Sequence, residues 1–258
     1  MDYGISGKVA LVNGGSSGIG LGIARALAAE GVHLALCAQQ EGKLAQAAEA
    51  LKAEFGVRVA IVSADVSQPN AAENVVAQAS AALGAPDILV NNSGGPAAGT
   101  FEELSEDQWA QAAQLLLMNA VRFSRAALPH MKAQRWGRIL NVCSTSVKEP
   151  IAGLMLSNAL RSSVIGFAKT LSQEAGPYGV TVNNLLPGRI HTGRLEALAA
   201  RQGRPVEEVF EGWIAEIPLR RLGTPADVGA LAAFLASEPA GFLTGLSIPV
   251  DGGMIHGV

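Results

Sequence analysis

The chain has 258 residues, which is enough to bury one large hydrophobic core. Hydrophobic residues make up 49% of the chain and charged residues 16%, a balance that excludes a disordered protein and favours a well-covered globule or a tight oligomer. The formal net charge of -3 excludes the basic surface that nucleic-acid binding requires.

Short apolar segments alternate with longer helical patterns along the chain. Seven segments are predicted as buried strands: Val9–Val12, His33–Ala38, Val57–Val62, Asp87–Val90, Arg138–Cys143, Val180–Leu185 and Ser247–Val250. The longest helical patterns are Glu41–Phe55, Ser105–Met131 and Ser157–Ala175. Strands that are apolar throughout and alternate with helices predict an α/β fold, in which helices cover both faces of a parallel sheet.

The domain organisation is predicted to be simple. We find no repeat, low-complexity tract or linker, so residues 1–258 are predicted to form a single domain. The segment Arg189–Pro218 follows the sixth strand and contains two short helical pieces separated by Gly203-Arg204-Pro205. A segment in that position is a candidate lid over a ligand crevice.

The first strand runs into a glycine-rich loop, Asn13–Gly20, and then into a helix. Gly14 permits a tight turn, and Gly18 and Gly20 let the backbone approach a ligand and let the helix pack closely on the sheet. The N-terminus of a helix offers unpaired N–H groups and a partial positive charge to a phosphate. The order of strand, glycine turn and helix predicts a dinucleotide site, although an ordinary tight turn explains the loop taken alone.

Further motifs follow in order: Asp65-Val66, Asn91–Gly94, Pro187-Gly188 with Thr192, and Leu243–Gly245 with Val250–Gly253. Together with the glycine loop, the chain resembles the classical branch of the short-chain dehydrogenase/reductase family, near the 3-oxoacyl-acyl-carrier-protein reductases. The resemblance covers essentially the whole chain. It implies a Rossmann-type doubly wound sheet and an NAD(P)-dependent oxidoreductase that acts on a small molecule with a carbonyl or secondary alcohol.

Carried over residue by residue, the resemblance implies a cofactor site at several strand ends. The glycine loop contributes Asn13, Gly14, Ser16, Ser17, Gly18, Ile19 and Gly20. Asp65 and Val66 would lie at the edge of the adenine, and Asn91, Ser93 and Gly94 beside the ribose. The nicotinamide would be flanked by Pro187, Gly188, Ile190 and Thr192. Asn13 and Ser93 depart from the usual Thr and Ala by small changes that leave the pocket open. A solvated carboxylate that caps the next turn is the alternative for Asp65.

The choice between NAD and NADP depends on the end of the second strand. An acidic residue there pairs with ribose hydroxyls, whereas an arginine pairs with the 2′-phosphate. This chain has Ala38 and Gln39 there and Ser17 in the glycine loop, so neither diagnostic charge is present. We favour NADP because no carboxylate repels its phosphate. Lys43 is the nearest cation, and its position on a helix is typical of a solvated face.

Members of the family use an Asn, a Ser, and a Tyr and Lys four residues apart. The lysine lowers the pKa of the phenol, so that the tyrosine can exchange a proton with the substrate oxygen. In this chain the Ser is Ser144, but Ser157 and Arg161 stand at the Tyr and Lys positions and Leu116 at the Asn position. Arginine keeps its proton, so it can hold a ribose and stabilise an oxyanion but not relay a proton. Asn119 could supply the amide only after a register shift, and is interpreted as an exposed or capping residue.

Three kinds of residue are candidates to replace the missing tyrosine. Lys148 lies four residues after Ser144 and is the best substitute proton donor, with a surface lysine as the alternative. His191 is a second candidate, because histidine is the usual proton-transfer residue in enzymes, with a histidine on the lid surface as the alternative. Tyr3 and Tyr178 are predicted to lie away from the strand ends that form the crevice. Asn92–Pro96, Ser144–Lys148 and Leu156–Arg161 together resemble an atypical branch related to the oxoacyl reductases.

Three functions therefore remain open at this point. The first is an oxidoreductase with an altered site, the second a dinucleotide-binding sensor with little catalysis, and the third a dehydration or isomerisation that uses Lys148 or His191.

The apolar residues of Ser157–Ala175 exceed what one buried face needs, which predicts a homotetramer. Cys37 and Cys143 lie in apolar runs typical of core residues rather than of a disulfide or metal site. Without a secretory signal pattern or an apolar run of roughly 18 residues, we expect a cytoplasmic protein that does not enter a membrane.

Overall fold

The computed structural model describes residues 2–257, so Met1 and Val258 of the predicted domain lie outside it. Its centre is one seven-stranded sheet in which every pair of neighbouring strands is parallel, in the order β3-β2-β1-β4-β5-β6-β7. The strands are β1 Val9–Asn13, β2 His33–Ala38, β3 Val59–Ser63, β4 Ile88–Asn91, β5 Gly137–Val142, β6 Val180–Pro187 and β7 Ser247–Val250. The predicted doubly wound Rossmann-type sheet is confirmed.

Helices cover both faces of this sheet. They are α1 Gly18–Ala29, α2 Glu41–Phe55, α3 Ala71–Leu83, α4 Glu106–Ala113, α5 Asn119–Ala133, α6 Met155–Ala175, α7 Gly193–Ala200, α8 Val206–Glu216 and α9 Pro225–Ala236. The first, second and ninth pack on one face, and the third, fifth and sixth on the other. Within residues 2–257, no helix combines the length and apolarity needed to cross a membrane.

Successive residues of each central strand enter opposite layers of the core. In β1, Val12 packs with the cluster under α1, α2 and α9, whereas its neighbour Leu11 packs with the cluster under α3, α5 and α6. All five residues of β1 are buried. A strand covered on both faces is mostly apolar, which is why residues 9–12 show no alternation of polar and apolar residues before the buried Asn13.

The order of the strands locates the ligand crevice. From β1 the chain moves outward to β2 and β3, and then returns to β4 on the other side of β1. At such a reversal the loops after the two central strands diverge, which opens a crevice outside their carboxyl ends. The loop after β1 is the glycine loop, and the loop after β4 begins at Asn92.

A chain of buried amides joins the carboxyl ends of three strands. The Nδ2 of Asn91 donates to Oδ1 of Asn141 at 2.9 Å, and Nδ2 of Asn141 donates to Oδ1 of Asn184 at 2.9 Å. These three residues are direct neighbours in the sheet register. Because buried polar groups are costly unless paired, this chain fixes the relative positions of β4, β5 and β6 under the crevice.

The predicted helix Ser105–Met131 is interrupted. A capping box of Ser105 and Gln108 starts α4, but residues Gln114–Met118 form a π-helical turn before α5 begins at Asn119. The hydrophobic pattern continues through this turn, so the sequence gives no sign of it. Because a π turn bonds residue i to i+5, it changes the direction in which the following side chains project.

The start of α9 yields a stability prediction. Thr224 and Asp227 form a capping box, and the Asp227 carboxylate also accepts two hydrogen bonds of 2.8 Å from Arg221. The Arg221 guanidinium, with the Thr224 donors, lowers the pKa of Asp227.

Replacing Asp227 by Ala should lower the free energy of unfolding by about 1 kcal/mol, which is a fall of roughly 2–4 °C in Tm at pH 7. A lowered pKa stabilises the fold above the ordinary value of about 3.9, so the difference from wild type should shrink in thermal melts below about pH 4. An undiminished difference at pH 2 would contradict a charged cap.

Candidate active site

A crevice of about 570 Å³ opens at the carboxyl ends of the central strands. It is bounded by the glycine loop, by residues 92–97 after β4, by residues 142–144 after β5, by the start of α6, and by residues 187–198 after β6. The predicted residues that line it are Gly14, Ser16, Ser17, Gly18, Ile19, Ser93, Gly94, Ser144, Ser157, Arg161, Pro187, Gly188, Ile190 and Thr192. The fold therefore brings most of the predicted site residues together, although they come from five separate segments.

The glycine loop has the backbone conformation that its sequence requires. Gly14 and Gly18 have φ angles of +63° and +54°, a left-handed region that disfavours side chains. A Cβ at Gly14 would lie 2.5 Å from Nδ2 of Asn92, and a Cβ at Gly20 would overlap the carbonyl oxygen of Gly14. Gly20 is buried and does not line the crevice, so its role is to let α1 pack against the loop.

One end of the crevice suits a diphosphate. Ser17 is the N-cap of α1, yet its side chain makes no capping hydrogen bond, so its hydroxyl and the first N–H groups of α1 remain available to an anion. The methyl group of Thr192 lies 3.4 Å from the Cβ position of Gly18, so the segment after β6 faces the glycine loop at close range. Lys43 is exposed, as predicted, and also lines this crevice.

Outside the crevice, a further group of four predicted cofactor residues lies at the ends of the neighbouring strands β2 and β3. Gln39 and Asp65 line a neighbouring cavity, Ala38 is partly buried at the end of β2, and Val66 is buried in the core. The Asp65 carboxylate accepts hydrogen bonds from the N–H and Oγ of Ser67 at 3.0 and 2.7 Å, and these bonds lower its pKa. This is the turn-capping arrangement that was the alternative for Asp65, so a contact between Asp65 and adenine stays a prediction.

Two asparagines of the predicted cofactor set are buried and do not line the crevice. Asn13 is fully buried, and both polar atoms of its side chain lack a hydrogen-bond partner among residues 2–257. Asn91 faces a small cavity, and its Nδ2 donates to Asn141 and Ser124. Both residues lie at the ends of strands that are covered on both faces.

Ser144, Ser157 and Arg161 meet beside the crevice. Ser144 lies two residues beyond the end of β5, and its Oγ accepts the N–H of Ser146 at 3.1 Å, which leaves the hydroxyl proton free to donate. Ser157 lies in the first turn of α6, and Arg161 follows one turn later on the same face. The Nη1 of Arg161 donates to the carbonyl oxygens of Val142 and Cys143 at 2.8 and 2.9 Å. These two bonds hold the guanidinium at the end of β5.

The Arg161 guanidinium carries its charge without a counterion. Across residues 2–257 no carboxylate lies within ion-pair distance of it. Burial lowers the pKa of Arg161, and the nearby charge of Arg194 lowers it further, but a guanidinium keeps its proton at any pH at which the protein folds. Burial likewise raises the pKa of Cys143 to about 11 and that of Cys37 to about 12, so both thiols stay protonated. Both are free and buried, as predicted.

Asn119 was predicted to be exposed or capping, and the structure corrects this. It is 2% exposed, and it lines a cavity of about 20 Å³ together with Leu116 and Arg161. Its Oδ1 has no hydrogen-bond partner among the described residues. The π-helical turn directly before Asn119 provides the register change that an ordinary helix would lack. A cavity of this size and polarity has room for one water molecule.

The predicted substitutes for the tyrosine are not brought to the crevice. Lys148 is exposed and lies outside the residues that line it, which corrects the expectation that Lys148 donates the proton. His191 is exposed, with its ring 3.1 Å from Glu196 and packed edge-on against Phe210. Tyr178 lies just before β6, at the amino-terminal end of that strand and away from the strand ends that form the crevice, as predicted. In the short turn after Ser144, Lys148 caps the 3₁₀ helix and projects outward.

Sequence reasoning missed Arg194, which lines the crevice from α7. Its Nη2 donates to the carbonyl oxygen of Pro96 at 2.9 Å. The sequence did contain an indication of this role. Arg194 lies two residues after Thr192, at the start of a helix that follows the end of a strand. Leu154, Leu195 and Leu198 also line the crevice and add an apolar wall.

A glycine loop at a strand-order reversal, with hydroxyls and a cation at the next strand end, defines a dinucleotide-binding oxidoreductase of the Rossmann type. A family model described as enoyl-(acyl carrier protein) reductase matches residues 14–255. The chain belongs to the short-chain dehydrogenase/reductase family, as predicted.

Known relatives cover almost the whole chain. It is 37% identical to D-beta-hydroxybutyrate dehydrogenase of Cupriavidus necator, over 97% of this chain and 99% of that protein. It is 35% identical to a 3-oxoacyl-[acyl-carrier-protein] reductase of Vibrio cholerae, over 97% and 98%. The solved structure of L-sorbose reductase from Gluconobacter frateurii, complexed with NADPH and L-sorbose, has a TM-score of 0.95 and 36% identity and covers 100% of both chains. The predicted NAD(P)-dependent oxidoreductase class is confirmed.

Proposed function

We propose that this protein is an NADP-dependent reductase of a carbonyl group, or dehydrogenase of the corresponding secondary alcohol, with Ser157 and Arg161 at the positions of the family's Tyr and Lys. The observation that carries the proposal is that Ser144, Ser157 and Arg161 line one crevice with the glycine loop. Among the described residues, no tyrosine lines it. A 3-oxoacyl compound is the proposed substrate type, supported by the similarity to the oxoacyl reductase.

The residues present fit a nicotinamide dinucleotide. The open glycine loop, the free Ser17 hydroxyl and the N-terminus of α1 would hold the diphosphate, and Pro187, Gly188 and Ile190 would flank the nicotinamide. When bound, that group supplies or accepts a hydride. The protein must then orient the substrate oxygen and stabilise its charge.

The side chains at the end of β5 can perform that task. The hydroxyls of Ser144 and Ser157 would donate hydrogen bonds to the substrate oxygen. The fixed charge of Arg161 would stabilise negative charge as it develops there, and removing one such donor typically costs about 100- to 1000-fold in kcat. Neither serine nor arginine releases a proton at neutral pH, so the proton would come from water. Asn119 and Arg161 border a cavity that has room for that water.

The rival functions differ in what the structure offers them. Dehydration or isomerisation relied on Lys148 or His191, and neither lines the crevice. A sensor that binds the dinucleotide without catalysis stays the second candidate. It is favoured because no side chain lining the crevice around Ser144, among the described residues, gives up a proton at neutral pH. Binding with no turnover on any carbonyl compound would favour the sensor.

We further propose that residues 189–218 act as a lid and that the protein is a homotetramer. Helices α7 and α8 pack on each other through a small core of their own: Leu195, Ala199, Val209 and Trp213. Such a unit can move as one body over the crevice. Phe242 lies shortly before the edge strand β7 and is fully exposed in the single chain. An exposed aromatic side chain at this position supports contact with another subunit. Sedimentation of a monomer alone would rule out the tetramer.

The first test is the affinity for NADPH and NADH, measured by calorimetry. Micromolar binding of either cofactor is expected, and NADPH should bind more tightly. No binding of either at millimolar concentration would reject both the reductase and the sensor.

Lys43 allows the preference for NADP to be tested. Replacing Lys43 by Met should weaken NADPH binding about 10-fold and leave NADH binding unchanged, because only NADPH has the additional phosphate charge. Lys52→Met is the matched control, since Lys52 lies on the same helix but pairs with Glu49. An equal loss for both cofactors would show that Lys43 does not read the 2′-phosphate.

A further inference from the structure

The charges that line the crevice are all positive. Among the described lining residues, Lys43, Arg161 and Arg194 are cationic and none is a carboxylate. The protein as a whole has a net charge of -3, so this local excess of positive charge is not a general property of its surface. A crevice of one sign concentrates ligands of the opposite sign.

Arg194 is positioned by backbone contacts rather than by an acidic partner. Its Nη2 binds the carbonyl oxygen of Pro96, and its guanidinium lies so close to Gly95 that a Cβ there would be 2.7 Å from both Nε and Nη2. No carboxylate of residues 2–257 lies within ion-pair distance of it. Arg194 is exposed, and the partial burial of its guanidinium lowers its pKa, as does the charge of Arg201 just beyond the same helix.

Arg194 and Arg161 line the same crevice, together with the hydroxyls of Ser144 and Ser157. The bonds from Arg161 to the carbonyl oxygens of Val142 and Cys143 hold its guanidinium at the end of β5. The glycine loop, Ser17 and Lys43 supply further anion-binding groups in this crevice. Neither guanidinium has a carboxylate partner, so a bound anion would offset two like charges.

We infer that the substrate carries a carboxylate or phosphate near its carbonyl group, and that Arg194 binds this anion while Arg161 faces the carbonyl oxygen. This inference rests on the proposed reductase function and narrows the proposed 3-oxoacyl substrate to a free acid or a phosphorylated compound, rather than a thioester. Arginine suits the task because its planar donors match the oxygens of carboxylates and phosphates. Leu154, Leu195 and Leu198 would contact the short apolar part of such a molecule.

The test compares a charged and an uncharged ligand of nearly the same shape. Protein saturated with NADP⁺, which cannot reduce a ketone, is titrated with acetoacetate, with methyl acetoacetate and with inorganic phosphate, and binding is followed by NMR or calorimetry. Wild-type protein should bind acetoacetate about 10- to 100-fold more tightly than its methyl ester. Arg194→Gln should remove this preference and change the affinity for NADP⁺ less than about twofold.

Arg201→Gln is the matched control, because Arg201 follows α7 directly and is exposed like Arg194, but does not line the crevice. It should keep both the anion preference and the cofactor affinity. If Arg194→Gln instead weakens NADP⁺ binding by about 10-fold or more, Arg194 serves the cofactor and the inference is wrong. It is also wrong if wild-type protein binds NADP⁺ but neither acetoacetate nor phosphate. Failure of wild-type protein to bind any cofactor would reject the proposed function itself.

Discussion

Replacing Arg161 by Ala is expected to reduce carbonyl reduction by at least about 100-fold in kcat, because the fixed charge held beside Ser144 and Ser157 is removed. Cofactor affinity should fall much less, since the glycine loop and the N-terminus of α1 are untouched. The measurement is NADPH oxidation with acetoacetate and with a 3-oxoacyl thioester, together with calorimetric titration of NADPH. A large fall in kcat without a matching loss of affinity would identify Arg161 as acting on the reacting oxygen.

Two control variants distinguish this effect from misfolding. Arg161→Lys keeps a positive charge but cannot bond both the Val142 and Cys143 carbonyls in the same way, so partial activity is expected. Ser162→Ala alters an exposed neighbour that bonds only the carbonyl of Asn158, and it should behave as wild type. Arg161→Ala also leaves two carbonyls unpaired, at a cost of about 1–3 kcal/mol each unless water replaces the guanidinium. Its Tm must therefore be measured. Unchanged kcat in a folded Arg161→Ala protein would refute the electrostatic role.

Replacing Gly20 by Ala should weaken cofactor binding about 100-fold. The added Cβ would overlap the carbonyl oxygen of Gly14 and lie 2.9 Å from Nδ2 of Asn92, so the glycine loop must move. A displaced loop loses one or two charge-assisted N–H bonds to phosphate, each worth about 1.5–3 kcal/mol. The same overlap should destabilise the fold by about 1–3 kcal/mol. Calorimetry with NADPH and denaturation without cofactor measure the two effects separately.

Gly212→Ala is the control for this substitution. Gly212 lies in the exposed middle of α8, has no positive φ, and has no atom within 4 Å of the position that an added methyl group would take. Alanine there should stabilise α8 by up to about 1 kcal/mol, through its higher helix propensity. If Gly20→Ala binds NADPH as tightly as wild type, the close packing between α1 and the glycine loop does not shape the phosphate site.

The parts of the site that could be predicted are those that depend on neighbours along the chain. Ser157 and Arg161 are four residues apart on a helix, so they had to share one face wherever that helix lay. Gly14 was identified because it permits a tight turn, and Gly18 because the backbone must approach a ligand there, and the structure has both in the left-handed region. Lys148 failed for the opposite reason. Its distance along the chain from Ser144 was right, but a short 3₁₀ turn directs it away from the crevice.

The apolar runs and helical patterns predicted a parallel sheet covered by helices on both faces, because a strand buried on both faces is mostly apolar. The glycine loop between strand and helix, together with the motifs that follow it, predicted a dinucleotide site. Only the tertiary structure decided that Asn119 is buried beside Arg161, through a π turn that leaves no mark in the hydrophobic pattern. It alone placed Arg194 in the same crevice as Ser144, from a distant part of the chain. The crevice is assembled from the ends of strands far apart in the sequence, so the side chains that meet across it are set by packing and not by spacing.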